Sequence, residues 1–496
     1  MKKKDIMKIK RYFFFSLLVL FASCSDWLDV TPKDIVDEED LLKSHLGYRN
    51  ALNGIYKQMG ETGMYGKELT WGFVDVLANP YYLGSNYIGR YHTYYKVANY
   101  KYTDSDVKSY IEKVWTLAYN SIANCNNIIG TIENVDSTMF PMGNVEKNLI
   151  MGEAYGLRAL LHFDMLRLFA PAPIMDDNNL YIPYFDKFPS YGENNLTVTE
   201  VLNKVVTDLI KARDLVASYD TLSDENILRL TVNGGNFDVK EGSTNYQPDD
   251  VFYAYRGYRM NYPAIISLLA RVYNYAGKHD EAFECVNEIM NLKDPYDKVL
   301  YSFPTRENVL TDRKMKRDLI FALSFPKLYE NYLPYATDHG YSSGDARFVL
   351  KDWSSAFDDP ADYRKDVLST PLTSTSSYYM PARNIQISSE TNDICPIIRY
   401  SELYYILAEY YASKENWSEA VNQLDNVREG RNCTKGRLTN VNNYESFRTE
   451  LLKEVRREYI TEGQLFFYHK KLNVKCSNVM TIEDFVLPLP DSENIN

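Results

Sequence analysis

The sequence predicts a mostly α-helical protein, a tetratricopeptide-like superhelix of paired helices with a loop-rich face and minor β structure. Three observations support this prediction. Apolar residues recur at helical spacing through much of the 496-residue chain. Two separated stretches share the pattern of a tetratricopeptide helix pair. The segments around them are polar, rich in tyrosine and weakly periodic, which is typical of loops.

The first 23 residues have the pattern of a lipoprotein signal peptide. Six basic residues lead to the apolar run 12–22, which is about half of the roughly 20 residues that a membrane-spanning helix needs. The small residues Ala22 and Ser23 then precede Cys24 and a polar stretch. We therefore expect cleavage before Cys24, lipidation of Cys24 and a single mature domain over 24–496. An ordinary secreted protein is the alternative.

Charge and cysteine spacing exclude several classes of function. Residues 1–23 carry six basic residues and one acidic residue, so their removal changes the formal net charge from −12 to −17. An acidic surface repels phosphate backbones, and we therefore expect no nucleic-acid partner. The five cysteines after Cys24 are far apart and lack metal-type spacing. We expect free thiols, no metal site and no cofactor.

Helical patterns are strongest in three segments of the first half, at 109–134, 146–169 and 197–216. The sequence APAP directly after residue 169 ends the second helix, because proline lacks the backbone donor and clashes with the preceding turn. Thr197 and Glu200 have the spacing of a capping box at the start of the third helix.

Two later stretches, 270–295 and 407–431, follow the tetratricopeptide pattern. Ala282 and Ala420 occupy the small position at which antiparallel helices approach closely, and Gly277 permits the tight turn before its second helix. Because one pair cannot bury its apolar face alone, several pairs should stack. The remaining sequence predicts long insertions, notably at 60–105, 220–260 and 296–394, with some short strands such as 318–325.

Tyrosine is strongly enriched, with 43 residues against 22 phenylalanines and five tryptophans. Eight tyrosines lie in YYLGSNYIGRYHTYYKVANYKY, residues 81–102, whose spacing fits neither an amphipathic helix nor a regular strand. A tyrosine ring stacks on the C–H face of a sugar or on a peptide side chain while its hydroxyl stays hydrated. Asparagine and arginine beside it can hydrogen-bond the ligand. The cluster favours a ligand-binding loop; the alternative is a set of rings that covers the scaffold.

The sequence does not indicate an enzyme. GYSSG at 340–344 matches a nucleophile elbow formally, but no apolar strand precedes it and only His469 follows as a base. A polar glycine turn explains the motif better. Charged residues at helical spacing, such as Arg399 and Glu402, are interpreted as structural ion pairs on and between helices.

Five segments, in matching order, resemble the SusD/RagB family, the surface nutrient-binding lipoproteins of Bacteroidetes. They are CSDWLDVTPKD at 24–34, EAYGLRALLHFDMLRLFAPAPI at 153–174, PIIRYSELYYILAEYYA at 396–412, VRREYITEGQLFFYHKKLN at 455–473 and LPLPDSENIN at 487–496. The resemblance implies a SusD-like helical fold and a surface-exposed lipoprotein of the outer membrane. It also implies a binding protein without catalytic activity.

The resemblance further implies capture of an oligosaccharide at the cell surface and its transfer to a SusC-type TonB-dependent outer-membrane transporter. Two alternatives stay open, namely capture of peptides and a tetratricopeptide scaffold for protein assembly. A glycan site predicts exposed, roughly coplanar rings along a groove. A peptide site predicts a deep enclosed cavity, and a scaffold predicts buried tyrosine loops.

The predicted ligand-binding residues lie mainly in the loop after WGFVDVLANP, where the family resemblance implies a ligand-binding loop. The predicted stacking rings are Trp71, Tyr81, Tyr82, Tyr87, Tyr91 and Tyr94, with Asn86 and Arg90 as polar partners. Tyr332 and Tyr341 are predicted to contribute from an opposite loop.

Overall fold

The computed structural model describes residues 41–232, 248, 250–337, 344–373, 377–385 and 391–494. The chain divides into two units, Met1–Lys43 and Ser44–Asn496, and every element named below belongs to the second unit. The predicted signal peptide and Cys24 lie outside the described residues, so the boundary at residue 23 stays a prediction.

Helices dominate the described residues, and six short strands join them. The helices are α1 His45–Met59, α2 Phe73–Leu77, α3 Thr93–Ala98, α4 Ser105–Ile132, α5 Asn144–Phe169, α6 Val198–Asp220, α7 Asp224–Leu228, α8 Tyr262–Tyr275, α9 His279–Met290, α10 Arg306–Thr311, α11 Leu328–Tyr332, α12 Arg364–Val367, α13 Tyr400–Ser413, α14 Trp417–Gly430, α15 Tyr444–Glu458 and α16 Leu465–Lys471. The strands are β1 Ile182–Pro183, β2 Asn195–Leu196, β3 Leu319–Ser324, β4 Ser369–Pro371, β5 Tyr379–Pro381 and β6 Ile394–Arg399.

The long helices form one continuous packed series. Along it α1 packs on α4, α4 on α5, α5 on α6, α6 on α8, α8 on α9, α9 on α13, α13 on α14 and α14 on α15. This arrangement confirms the predicted mostly α-helical, helical-repeat fold. The capping box of α6 is also confirmed, since Thr197 and Glu200 exchange side-chain and backbone hydrogen bonds.

Helix α5 is the central element of the first half, and every residue from Leu149 to Phe169 is buried. Two glycines permit this close packing. A Cβ atom at Gly152 would lie 2.8 Å from the Val216 side chain on α6, and one at Gly156 would lie 2.5 Å from the Met260 side chain. Helix α5 ends at Phe169 as predicted, where the APAP sequence begins.

The two predicted tetratricopeptide pairs are α8–α9 and α13–α14, and they pack directly on each other through α9 and α13. Ala282 and Ala420 are completely buried, as expected for positions of close helix approach. Both interhelical turns need a left-handed residue. Gly277 supplies it in the first pair with φ +72°, and Glu415 takes φ +56° in the second.

The described strands pair in twos, all antiparallel. The predicted strand near 318–325 is β3, which pairs with β6 in a register that sets Leu319 opposite Arg399 and Ser324 opposite Ile394. Strand β4 pairs with β5. The β3–β6 pairing therefore ties β3, inside the 296–394 insertion, to the strand that leads directly into α13.

The charged residues of the family-like segments form a buried network between elements. Arg399 pairs with Asp318 at 2.6 Å and with Glu462 at 2.6 Å. Arg431 pairs with Asp318 and Glu458. The predicted structural role is confirmed, although these ion pairs are buried between elements rather than exposed on helix surfaces. Across the described ranges, no helix has both the length and the apolarity to cross a bilayer.

Candidate functional site

The tyrosine-rich loop is held by an extended segment, residues 344–351, which lies between it and β5. Tyr82 donates its backbone N–H to Val349 O at 2.8 Å, and Arg347 donates to Tyr87 O at 2.9 Å. On the other side, Leu350 donates its backbone N–H to Tyr379 O at 2.8 Å. The segment therefore brings the loop at 80–89 and the start of β5 to one surface.

Successive side chains of an extended backbone point to opposite faces, and this alternation separates Tyr81 from Tyr82. Tyr81, which bridges to Leu350, is 1% exposed, whereas Tyr82 is only half-buried. The neighbouring tyrosines at 93–98 belong to the short helix α3, which the sequence pattern did not predict. The ring nitrogen Nδ1 of His92 caps this helix by accepting from the backbone N–H of Tyr94 at 3.1 Å.

Four of the ten predicted site residues, Trp71, Tyr81, Tyr94 and Tyr332, are in the core, with exposures between 0% and 1%. Their rings pack on one another and on Phe348. The Trp71 and Tyr332 centroids are 5.0 Å apart in an edge-to-face contact, and Tyr81 stacks on Phe348 at 4.3 Å. In this conformation these four rings cannot stack on a ligand, so they are not among the ligand contacts proposed below.

These rings can be buried at little cost because each of their polar atoms has a hydrogen-bond partner inside the protein. Tyr81 donates to Asp75 at 2.5 Å, Tyr94 to Glu68 at 2.9 Å and Tyr332 to the Pro381 carbonyl at 2.8 Å. The indole N–H of Trp71 donates to a backbone carbonyl at 2.9 Å. Satisfied hydroxyls remove most of the cost of burying a phenol.

Three other tyrosines lie together at the surface, and we call Tyr82, Tyr87 and Tyr378 the tyrosine face. The centroids of Tyr82 and Tyr87 are 5.5 Å apart, and Tyr378 lies 5.4 Å from Tyr82 and 6.0 Å from Tyr87. Tyr378 is 40% exposed, and the other two are half-buried. The tyrosine face joins residues that are far apart in the sequence.

The rings of the tyrosine face are not coplanar, contrary to the expectation for a glycan groove. The angle between ring planes is 36° for Tyr82 and Tyr87 and 75° for Tyr82 and Tyr378. A flat ligand cannot lie on all three rings at once. The arrangement is better matched to a ligand that curves or presents several faces.

The other predicted site residues have mixed positions. Asn86 and Arg90 are exposed, and Tyr91 is 65% exposed with its ring 5.0 Å from the Arg90 guanidinium. Tyr341 lies outside the described residues. Tyr378 was not predicted, although the signal was present, since YY at 378–379 lies within a serine- and threonine-rich part of the 296–394 insertion.

A cleft of about 670 Å³, lined mainly by polar and charged residues, lies beside the tyrosine face. Its walls are one side of α15 from Glu445 to Arg457, the loop 437–441 and the segment from Asp352 to Asp358. Asp352 joins the two features, because its carboxylate accepts a hydrogen bond from the Tyr82 hydroxyl at 3.2 Å. Arg456 of α15 also lines the cleft.

A smaller cavity of about 380 Å³ is lined by Lys67, His92, Tyr335 and Asp345, among others. Burial and the nearby Lys67 charge lower the pKa of His92 to about 4, so this imidazole is neutral at pH 7. Among the described residues, no group of histidine, cysteine or acidic side chains is arranged to hold a metal ion. Ser342 of the GYSSG motif lies outside the described residues.

Two family models match the chain. A model described as "Starch-binding associating with outer membrane" matches residues 26–225, and one described as "SusD family" matches residues 353–468. The two matches together cover well over half of the chain. They include four of the five segments that carry the sequence resemblance, at least in part.

Solved structures share the fold. A SusD superfamily protein from Bacteroides thetaiotaomicron has a TM-score of 0.68 at 21% identity, covering 91% of this chain and 97% of that one. A SusD-like carbohydrate binding protein from Bacteroides vulgatus has a TM-score of 0.61 at 17% identity, covering 86% and 82%. Surface glycan-binding protein A from Bacteroides thetaiotaomicron has a TM-score of 0.61 at 14% identity, covering 91% and 96%.

A curated relative is similar over part of its length. SusD-like protein P2 from Formosa agariphila is 26% identical over 213 residues, which is 42% of this chain. The match spans 38% of that relative.

Proposed function

Because the chain belongs to the SusD/RagB family, we propose that it is a surface lipoprotein of the outer membrane that captures an oligosaccharide without chemically changing it. The tyrosine face is the proposed contact surface, with Asn86, Arg90 and Tyr91 as further candidates on the same loop. Transfer of the glycan to a SusC-type TonB-dependent transporter is part of the proposal.

The observation that carries this proposal is the convergence of Tyr82, Tyr87 and Tyr378 at the surface. Half-buried and exposed rings that touch each other at the surface present an apolar face to a ligand, while hydroxyls can bind water or ligand hydroxyls. Buried rings support this surface from the core side, as Tyr81 does next to Tyr82 in the same loop. A sugar chain, whose units have apolar C–H faces and hydroxyl edges, matches this combination.

The proposal predicts that binding depends on the three rings together. Each stacking ring contributes about 0.5–1.5 kcal/mol beyond its buried area. The triple variant Tyr82→Ala, Tyr87→Ala, Tyr378→Ala should therefore bind at least about tenfold more weakly. We would screen the wild-type protein by affinity electrophoresis against soluble glucans, xylans, galactans, mannans and uronic-acid polymers. Isothermal titration would then compare wild type and variant on the polysaccharide that binds.

Tyr191→Ala is the matched control, because this tyrosine is 96% exposed and is not part of the tyrosine face. It should bind as wild type does, and all variants should melt within a few degrees of wild type. Full-strength binding by the folded triple variant would exclude the tyrosine face as the site. Binding of a casein digest but of no polysaccharide would favour the peptide alternative.

A further inference from the structure

Resting on the proposed glycan binding, we propose that the glycan site continues from the tyrosine face into the 670 Å³ cleft. The ligand is then a chain of several sugar units, and one unit is held in the cleft by Arg456 and Asp352. This assigns to the cleft the role of a second subsite, and it makes chain length a determinant of affinity.

The tyrosine face and the cleft are physically continuous. The Tyr82 hydroxyl donates to the Asp352 carboxylate at 3.2 Å, and the Asp352 backbone N–H lies 3.4 Å from the same hydroxyl oxygen. The backbone N–H of Lys351 donates to the Pro80 carbonyl at 2.8 Å, at the base of the loop. Tyr82 of the tyrosine face is therefore in direct contact with Asp352, which belongs to the cleft wall.

The size and lining of the cleft fit part of a sugar chain. Its volume lies within the range of about 300–1,000 Å³ that is usual for ligand sites. Hydroxyl, amide and charged side chains line it, including Thr439, Asn440, Ser446 and Thr449. These groups can donate to and accept from sugar hydroxyls.

Most of the charged residues that line the cleft are already paired. Arg437 pairs with Asp359 at 2.8 Å, and Lys453 pairs with Glu450 at 2.7 Å. Asp358 is held by Arg428 at 2.7 Å and by Arg457 at 3.3 Å. These pairs stabilise the walls and leave little charge to offer to a ligand.

Arg456 differs from these residues, because among the described residues no carboxylate lies within ion-pair distance of it. Its guanidinium donates to the Lys351 backbone carbonyl, which uses one of five N–H donors. Burial without a paired carboxylate lowers the pKa of Arg456, and the Asp352 charge opposes that effect. A half-buried guanidinium and a nearby carboxylate form a donor and acceptor set for neighbouring sugar hydroxyls.

The test uses oligosaccharides of two to eight units prepared from the polysaccharide that binds wild type most tightly. Isothermal titration should show affinity rising with length beyond the units that the tyrosine face can cover. Arg456→Gln should lower affinity for the longest oligosaccharide by about tenfold, since hydrogen bonds to charged groups are strong, and leave the shortest binding oligosaccharide unaffected. Arg213→Gln is the matched control, because Arg213 is likewise half-buried but lies on α6 and does not line the cleft.

Thr449→Trp provides a second variant that does not remove a buried contact. Thr449 is exposed on α15 and lines the cleft, so an indole there should fill the space and reproduce the length-dependent loss. If Arg456→Gln fails to fold by its melting curve, Thr449→Trp decides the question.

The outcomes separate this inference from the proposed function. If affinity does not depend on chain length, or if folded cleft variants bind the longest oligosaccharide as wild type does, the cleft is not a subsite. Loss of binding by the triple tyrosine variant would then still support glycan binding. If wild type binds no polysaccharide, the proposed function fails and the inference fails with it.

Discussion

At the scale of single residues, the internal partners of each tyrosine hydroxyl decide whether the ring supports the site or belongs to it. Tyr81 and Tyr82 are adjacent, yet the first donates to a buried carboxylate and the second to Asp352 at the surface. The carboxylate beneath Tyr81, Asp75, is fully buried. Its protonation therefore links the support of the site to pH.

Asp75→Asn should make the stability of the protein less sensitive to pH. Burial raises the pKa of Asp75 to about 7, while the Tyr81 hydrogen bond partly offsets this rise. Between pH 4 and 7 the folded protein thus holds a proton that the unfolded chain releases, so this group lowers stability as pH rises through that window. Urea unfolding measures the free energy of unfolding of both proteins at pH 5 and pH 8. The value for the variant minus that for wild type should be about 2–3 kcal/mol larger at pH 8 than at pH 5.

Asp366→Asn is the control for this comparison, because Asp366 is exposed. The difference in free energy of unfolding between Asp366→Asn and wild type should be the same at both pH values. An equally constant difference for Asp75→Asn would contradict the proposed ionisation of the buried carboxyl group.

At the scale of elements, the two tetratricopeptide pairs form the same left-handed turn with different residues. Gly277 and Glu415 each lie five residues before the completely buried alanine of their pair, Ala282 and Ala420, and both have positive φ. A left-handed conformation costs a residue with a Cβ atom about 1–2 kcal/mol. Pairing of α13 with α14 therefore imposes a positive φ on Glu415, which is an unfavourable conformation for a residue with a Cβ atom.

Glu415→Gly should stabilise the protein by about 0.5–1 kcal/mol, because glycine adopts positive φ without the steric cost but loses more entropy on folding. Gly277→Ala should destabilise by about 1 kcal/mol from strain alone, since a Cβ atom there would meet nothing within 4 Å. Glu415→Ala keeps the strain and should leave stability nearly unchanged. Thermal melts of the three variants test these expectations. If Glu415→Ala is also stabilising, the gain comes from loss of the glutamate side chain and not from relief of backbone strain.

At the scale of the whole molecule, distant segments are brought together by backbone pairing and by buried charge. Segment 344–351 joins the loop at 80–89 to β5, and the Arg399–Asp318–Arg431 network joins β6, the segment before β3 and the end of α14. The tyrosine face depends on this organisation, because Tyr378 comes from a different insertion than Tyr82 and Tyr87.

The predicted attachment of the whole molecule to the membrane depends on one residue, Cys24. Several acyl chains on one cysteine anchor a protein stably, whereas a single chain does not. Cys24→Ala, expressed in a host with lipoprotein-processing enzymes, should move the protein from the membrane pellet to the supernatant after cell fractionation. Ser25→Ala should stay in the pellet, and a Cys24→Ala protein that also stays there would contradict lipid anchoring.

The sequence by itself determined the helical-repeat class, because apolar spacing, proline stops and small residues such as Ala282 act locally and recur along the chain. It also located the insertion from which Tyr82 and Tyr87 come, through the density of tyrosine. The tertiary structure alone decided which rings are exposed, since Trp71, Tyr81, Tyr94 and Tyr332 are buried by partners far away in the chain. The same holds for Tyr378 and Arg456, whose positions beside Tyr82 follow from long-range backbone pairing and packing that no local pattern records.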